Sequence, residues 1–246
     1  MTLKEQFERG GDRFFRWRSY LPLLMAGLFI AALLDKPSSW GNSPAARWWA
    51  LSCLGVSLVG LGIRFFTVGF APRGTSGRNT REQVADSLNT TGMYSILRNP
   101  IYLGNAVIWI GLSLFIKSWW LTIIIVLFFT VFYERIIFAE ERFLQEKFGE
   151  AFLNWARQTP AILPNFKNWQ PPALPFSWKS ALNREYATFY SIIVSFTILE
   201  VASNLFLMKK FVIDRIWVLI FVAGTIIYLT VRVLKKKTNI LSTAGR

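Results

Sequence analysis

The chain has 246 residues, a formal charge of +14, 53% apolar residues and 17% charged ones. A soluble domain carries about 25% charged residues, so the composition excludes an ordinary water-soluble globule, and the basic residues flank apolar blocks instead of forming one stripe, which argues against a nucleic-acid partner. A single cysteine, Cys53, and no histidine remove disulfides, thiolate metal centres and the Ser-His and Cys-His nucleophile pairs.

The first apolar block runs from about Tyr20 to Leu34, behind a leader with Arg9, Arg13, Arg16 and Arg18. The leader is long and also carries acids, so a retained helix is expected there and not a cleaved signal. A second block spans about Ala45 to Phe70, with Gly55, Gly60 and Gly62 as expected close-packing positions. A polar segment, Ala71 to Arg98, leads to a short third block, Ile101 to Ile116. Lys117-Ser118 leaves room only for a tight hairpin into a fourth block from Trp119, which is expected to continue past Phe138 as an amphipathic extension. Five prolines between Arg157 and Asn183 forbid a regular helix. Two more blocks, about Ala187 to Met208 and Ile213 to Leu234, precede Lys235-Lys236-Lys237.

The expected architecture is an all-α, polytopic integral membrane bundle of roughly six spans. Its divisions are 1–70 for N-terminal membrane helices, 71–165 for a core with a helical hairpin, 166–186 for a Pro-rich connection and 187–246 for C-terminal helices. Trp40, Trp48, Trp49, Trp119, Trp120 and Trp217 lie near block ends, as an interfacial belt should. Lys and Arg are heavier on the side that holds both termini and the 71–98 segment, so that side is expected to face the cytoplasm.

The stretch Gly92 to Gly104 reads as a helix start. Pro100 suits the first helical position, and Asn99 before it is a strong N-cap. Such a start presents free N–H groups and the positive dipole end, an anion site, although an ordinary capped membrane helix has the same features. Glu140-Glu141 puts two carboxylates at the mouth of a span, where they must be wet or paired. Arg64 and Glu200 fall inside spans, at ~2.5–3.5 kcal/mol each; Arg64 is expected to snorkel, and no partner for Glu200 can be named.

Tyr94-Ser95-x-x-Arg98-x-Pro100-x-Tyr102-x-Gly104, a hairpin, then Glu140-Glu141-x-x-Leu144 and Phe148-Gly149 together resemble the isoprenylcysteine carboxyl methyltransferase and phospholipid methyltransferase superfamily, over about residues 77–165. The resemblance implies an integral membrane enzyme that takes S-adenosyl-L-methionine from the cytosol and methylates an acceptor presented by the bilayer, in a pocket at the cytoplasmic face. It assigns the cofactor to Tyr94, Asn99, Pro100, Ile101, Tyr102 and Glu140, with Asp86 and Asn89 lining the same pocket. The family usually has His where this chain has Asn99, which cannot change charge.

Arg135, Arg98 and Glu141 are the candidate catalytic residues, with arginine suited to bidentate recognition of phosphate or carboxylate; no metal is expected. The missing histidine tilts the acceptor towards an anionic oxygen, which needs no base, and away from an ammonium. Thr75 to Thr80, leading into Asn89-Thr90-Thr91-Gly92, is similar to bacterial members proposed to methylate the 1-phosphate of lipid A, so a lipid phosphate in the bacterial inner membrane is the favoured acceptor. The alternatives are an isoprenylcysteine-type carboxylate, a phospholipid amine, an NADPH-dependent membrane reductase and a non-enzymatic lipid transporter. The oligomeric state has no signature in the sequence.

Overall fold

The structure is a computed structural model that describes residues 20–35, 43–72, 74–75, 85–209, 211–241 and 243, without the side chains of 21–24 and 207–208. The leader arginines, Trp40, Arg73, Arg78 and Arg81 lie outside the described residues. The described chain is helical: α1 Leu21–Leu34, α2 Pro44–Phe70, α3 Met93–Ile96, α4 Pro100–Phe115, α5 Trp119–Phe148, α6 Glu150–Gln158, α7 Trp178–Met208 and α8 Arg215–Lys237. Four of these, α2, α5, α7 and α8, are long and apolar enough to cross a membrane, and α1 and α4 are shorter apolar helices. The protein is a polytopic helical membrane bundle.

Helices α2 and α4 form the tightest pair. A Cβ on Gly60 would lie 2.5 Å from the Gly104 carbonyl oxygen, and one on Gly111 would overlap Ser57. Backbone meets backbone there, and Ser57 Oγ donates to the Ile108 carbonyl at 2.8 Å, buried between the helices. Small residues are how membrane helices gain dispersion contacts when lipid offers no hydrophobic driving force. Gly55 and Gly62 do not share this role, contrary to expectation: nothing lies within 4 Å of where their Cβ atoms would be. Only the face of α2 that carries Ser57, Gly60 and Arg64 meets α4.

The α4–α5 turn is as tight as the sequence requires, with Lys117 at φ +60. At 30 residues, α5 is ~45 Å long, beyond a hydrocarbon core of ~30 Å, so one end projects out of it. Helix α7 begins at Trp178, ahead of its apolar block, because Ser177 Oγ accepts from Ser180 N and caps the first turn. Just before it, Phe176 packs on Gly69 among Phe65, Phe66, Phe70 and Trp178, which fixes α7 against α2. Trp217 departs from the belt: it is buried, stacked on Phe196 and edge-on to Phe115. Trp48, Trp119 and Trp178 are exposed near helix ends.

Candidate functional site

The segment before α4 is built from local turns. Asn89 Oδ1 accepts from Thr91 N at 3.3 Å, Ser95 Oγ donates to the Gly92 carbonyl at 2.7 Å, and α3 is a single turn that ends in extended Leu97. Asp86 is exposed, its N–H donating to the Gly74 carbonyl. Pro100 is buried at the first position of α4, and Asn99 occupies the N-cap position. The Asn99 side chain, however, makes no cap bond. Its Nδ2 donates to the Ala161 carbonyl at 3.0 Å. The cause is the returning chain: Arg98 N donates to the Pro160 carbonyl and Asn165 N to the Ile96 carbonyl, both at 2.9 Å, so carbonyls of residues 160–161 lie alongside and draw the amide across.

The two adjacent carboxylates take different partners. Glu140 Oε1 accepts from Tyr102 Oη at 2.6 Å, joining α5 to the first turn of α4. The Tyr102 ring stacks on Tyr133, centroids 4.6 Å apart. Glu141 faces Arg98, with Oε1 3.1 Å from Nη1. That pair is close in charge but poorly aligned, because Glu141 Oε1 and Arg98 Nε are buried without a hydrogen-bond partner. Tyr94 lies within the field of the same group: burial, then the Glu140 carboxylate, push its phenol up, against Arg184 and Arg64. Trp155 Nε1 donates to the Tyr94 carbonyl and holds α6 over this turn.

Tyr94, Asn99, Pro100, Ile101, Tyr102 and Glu140 thus gather at one end of the α4–α5 hairpin, with the Arg98–Glu141 pair beside them. Asp86 and Asn89 belong to the segment leading in. Arg135 is half-buried on α5 and does not line the cleft described next.

Between α4 and α5 runs an apolar groove of about 580 Å³ counted out to its open side. Tyr102, Ala106, Ile110, Ile125, Phe129 and Tyr133 line it, with Asn99, Ala161 and Ile162 at the motif end. Tyr102 therefore belongs to two environments: its hydroxyl holds Glu140 and its ring walls the groove.

Sequence reasoning missed the group around Arg64. Arg64 does not snorkel; it is fully engaged inside the bundle. Its Nε and Nη2 each donate at 2.8 Å to Glu185 of α7, and Nη1 donates to Asn105 of α4 at 2.5 Å. The side chains are 11% and 4% exposed. The available signal was the cost of an unpaired arginine in a span, which demands an acid. Glu200 has a partner too: it accepts from Asn204 Nδ2, which also donates to the Val212 carbonyl. Among the described residues no three His, Cys, Asp or Glu side chains gather as a metal site.

The apolar groove of this membrane bundle thus ends beside the carboxylate–tyrosine cluster of Glu140, Tyr102 and Tyr133. The phospholipid methyltransferase family matches residues 50–151. That stretch, from α2 into α6, belongs to the isoprenylcysteine and phospholipid methyltransferase superfamily. The chain is similar to the nickel-cobalt-cadmium resistance protein NccN of Alcaligenes xylosoxydans xylosoxydans, 33% identical over 143 residues, which cover 57% of this chain and 62% of that one. It is also similar to the cobalt-zinc-cadmium resistance protein CzcN of Cupriavidus metallidurans, 35% identical over 136 residues, 55% of this chain and 58% of that one. The chain thus spans about three fifths of the curated relatives it matches. No solved structure matches it.

Proposed function

We propose that this chain is an S-adenosylmethionine-dependent membrane methyltransferase that methylates an anionic oxygen of a lipid or lipidated acceptor, with a lipid phosphate such as lipid A 1-phosphate favoured. The observation that carries the reading is the Tyr102–Glu140 bond of 2.6 Å at the head of the apolar groove. The site would face the cytoplasm, by the balance of Lys and Arg between the two sides, and the favoured membrane is a bacterial inner membrane.

The residues present fit the cofactor. A carboxylate held by a tyrosine hydroxyl, with the stacked Tyr102 and Tyr133 rings near it, suits a sulfonium and an ammonium, and the first turn of α4, uncapped by the Asn99 side chain, suits a carboxylate. Tyr94, Asn99, Pro100, Ile101, Tyr102 and Glu140 would hold it, with Asp86 and Asn89 on the approach. When bound, S-adenosylmethionine supplies an electrophilic methyl group. Glu140 would supply a negative charge to the cationic cofactor, and Tyr102 fixes that carboxylate through one short hydrogen bond. An anionic oxygen carries its own lone pair, so no proton has to leave and a chain without histidine can do the work by positioning and charge. Arg98, tempered by Glu141, would face the acceptor's charge, with Arg135 of α5 as a second candidate although it does not line the groove.

The relatives' names add support for an anionic acceptor. A methyl ester on a phosphate monoester or a carboxylate removes roughly one negative charge, lowering the surface potential that concentrates cations. Methylation of an amine leaves the charge in place and has no such effect. Resistance to divalent metal cations, the property named for both relatives, accords with the first chemistry.

The test is a binding titration on detergent-purified protein with S-adenosylhomocysteine and with NADPH. Saturable binding of the first alone is expected; binding of NADPH alone replaces the methyltransferase with a reductase, and binding of neither returns the chain to lipid transport.

A further inference from the structure

The loop between α6 and α7 lies where a loop in water is not expected. Past Ile137, α5 continues to Phe148, ~16 Å along its axis. Gly149, at φ +54, then turns the chain into α6, which runs ~13 Å. Directly after α6, Ala161 and Ile162 line the same groove as Ile137 and Asn99. The chain has therefore risen out of the bundle and come back to the level of Ile137, where the apolar block of α5 gives way to Glu134, Arg135, Glu140 and Glu141.

At that level it exposes large apolar side chains. Leu163 is 77% and Phe166 73% exposed, with Ile162 and Trp169 about half exposed and Lys167 exposed among them. The loop is pinned, not slack. Arg98 N donates to the Pro160 carbonyl, Asn165 N to the Ile96 carbonyl, and Asn168 Nδ2 to the Gln158 carbonyl at 2.6 Å. Asn165 Oδ1 accepts from Lys167 N and caps the 3-10 turn Phe166–Asn168. A soluble surface does not hold out Leu, Phe and Trp on a fixed turn. The boundary between headgroups and acyl chains takes apolar side chains with a lysine among them, the lysine meeting anionic headgroups.

We propose that residues 161–169 form an interfacial anchor: Leu163, Phe166 and Trp169 insert into the leaflet at the motif end, and Lys167 meets anionic lipid. Ile162 is both an exposed member of this row and a wall of the groove, so the anchor fixes the groove mouth at the depth of the headgroup boundary. The acceptor class follows: an amphiphile whose reacting group lies within the headgroup layer, beside Asn99 and Tyr102. That last step rests on the methyltransferase reading; the anchor itself does not.

The experiment uses the full chain in phosphatidylcholine–phosphatidylglycerol vesicles. Cys53 is buried, so Leu163→Cys can carry an environment-sensitive fluorophore, with the exposed Glu150→Cys at the far end of α6 as reference. Nitroxide lipids labelled near the top of the acyl chain should quench the label at 163 and spare that at 150, and aqueous iodide should do the reverse. Iodide quenching at 163 equal to that at 150, without lipid quenching, overturns the anchor. So does a label at 163 that lipid cannot reach in native membranes although iodide can reach it in purified vesicles, which marks a protein partner. Phe166→Asp with Leu163→Asp should cut methyl transfer to lipid while leaving S-adenosylhomocysteine affinity unchanged. Lipid quenching without any methyl transfer in the wild type keeps the anchor and removes the enzyme.

Discussion

Among the arginine–carboxylate pairs of the described residues, Arg64–Glu185 and Arg98–Glu141 differ in kind. Arg64–Glu185 is bidentate, buried, and completed by Asn105, a closed group that ties α7 to α2 and α4. Arg98–Glu141 is a single contact at the rim, its side chains 17% and 26% exposed and one atom on each unsatisfied. In the first, each guanidinium nitrogen and both carboxylate oxygens have a hydrogen-bond partner; in the second, Arg98 Nε and Glu141 Oε1 have none. A pair inside the hydrocarbon persists only when every polar atom is answered, whereas a pair at a site can remain incomplete until substrate arrives. The closed pair is a fastener and the open one a candidate contact.

The sharpest way to break that contrast is Glu185→Ala. It strands a buried guanidinium, so stability in detergent should fall by about 3–5 kcal/mol, read from thermal unfolding. Leu at both Arg64 and Glu185 should recover most of it. A loss no larger than that of Arg98→Ala, expected at ~1 kcal/mol or less, would erase the distinction.

Binding sharpens it next. Tyr102→Phe removes the hydrogen bond that fixes Glu140 and Glu140→Gln removes its charge, and titration calorimetry should show S-adenosylmethionine affinity down by roughly ten- to a hundredfold, the scale of a contact to a charged group worth ~1.5–3 kcal/mol. Glu141→Gln should change it far less. Equal effects of the two Glu→Gln changes would mean that the neighbouring carboxylates are not divided between cofactor and acceptor. Ala106→Phe, which fills the groove, should depress methyl transfer to lipid at unchanged cofactor affinity; unchanged transfer would place the acceptor elsewhere.

The smallest effect concerns Tyr94. An unfolded phenol titrates near 10, and burial with Glu140 nearby raises it in the fold. The neutral form is the one favoured, so this contribution to stability is complete below about 10 and is lost as pH rises towards the folded value. Wild type should lose stability above that point faster than Tyr94→Phe in an alkaline unfolding series.

How much of this the sequence carried depends on the range of the signal. The membrane blocks, the hairpin at Lys117 and Pro100 at a helix start were legible because each is local. Glu140 near Tyr102 was legible only through the resemblance, since 38 positions separate them. Glu185 was not legible at all: it stands 121 positions from Arg64, in a stretch whose prolines hid the start of α7. Asn99 was half legible, its position read correctly and its side chain diverted by a carbonyl 62 positions away. Gly55, Gly62 and Trp217 misled because composition says what a residue can do in a membrane and not which face it turns to its neighbours.

The most direct test of the central claim is transfer of label from radiolabelled S-adenosylmethionine to membrane lipids by the purified full chain, across the neutral pH range. Label is expected in a phosphate or carboxylate lipid as an ester, at a rate nearly flat with pH, with Arg135→Ala impaired far more than Arg157→Ala. Label found mainly in phosphatidylethanolamine-derived lipids, at a rate that falls as pH falls, would contradict the anionic acceptor, and no label in any lipid would contradict the methyltransferase.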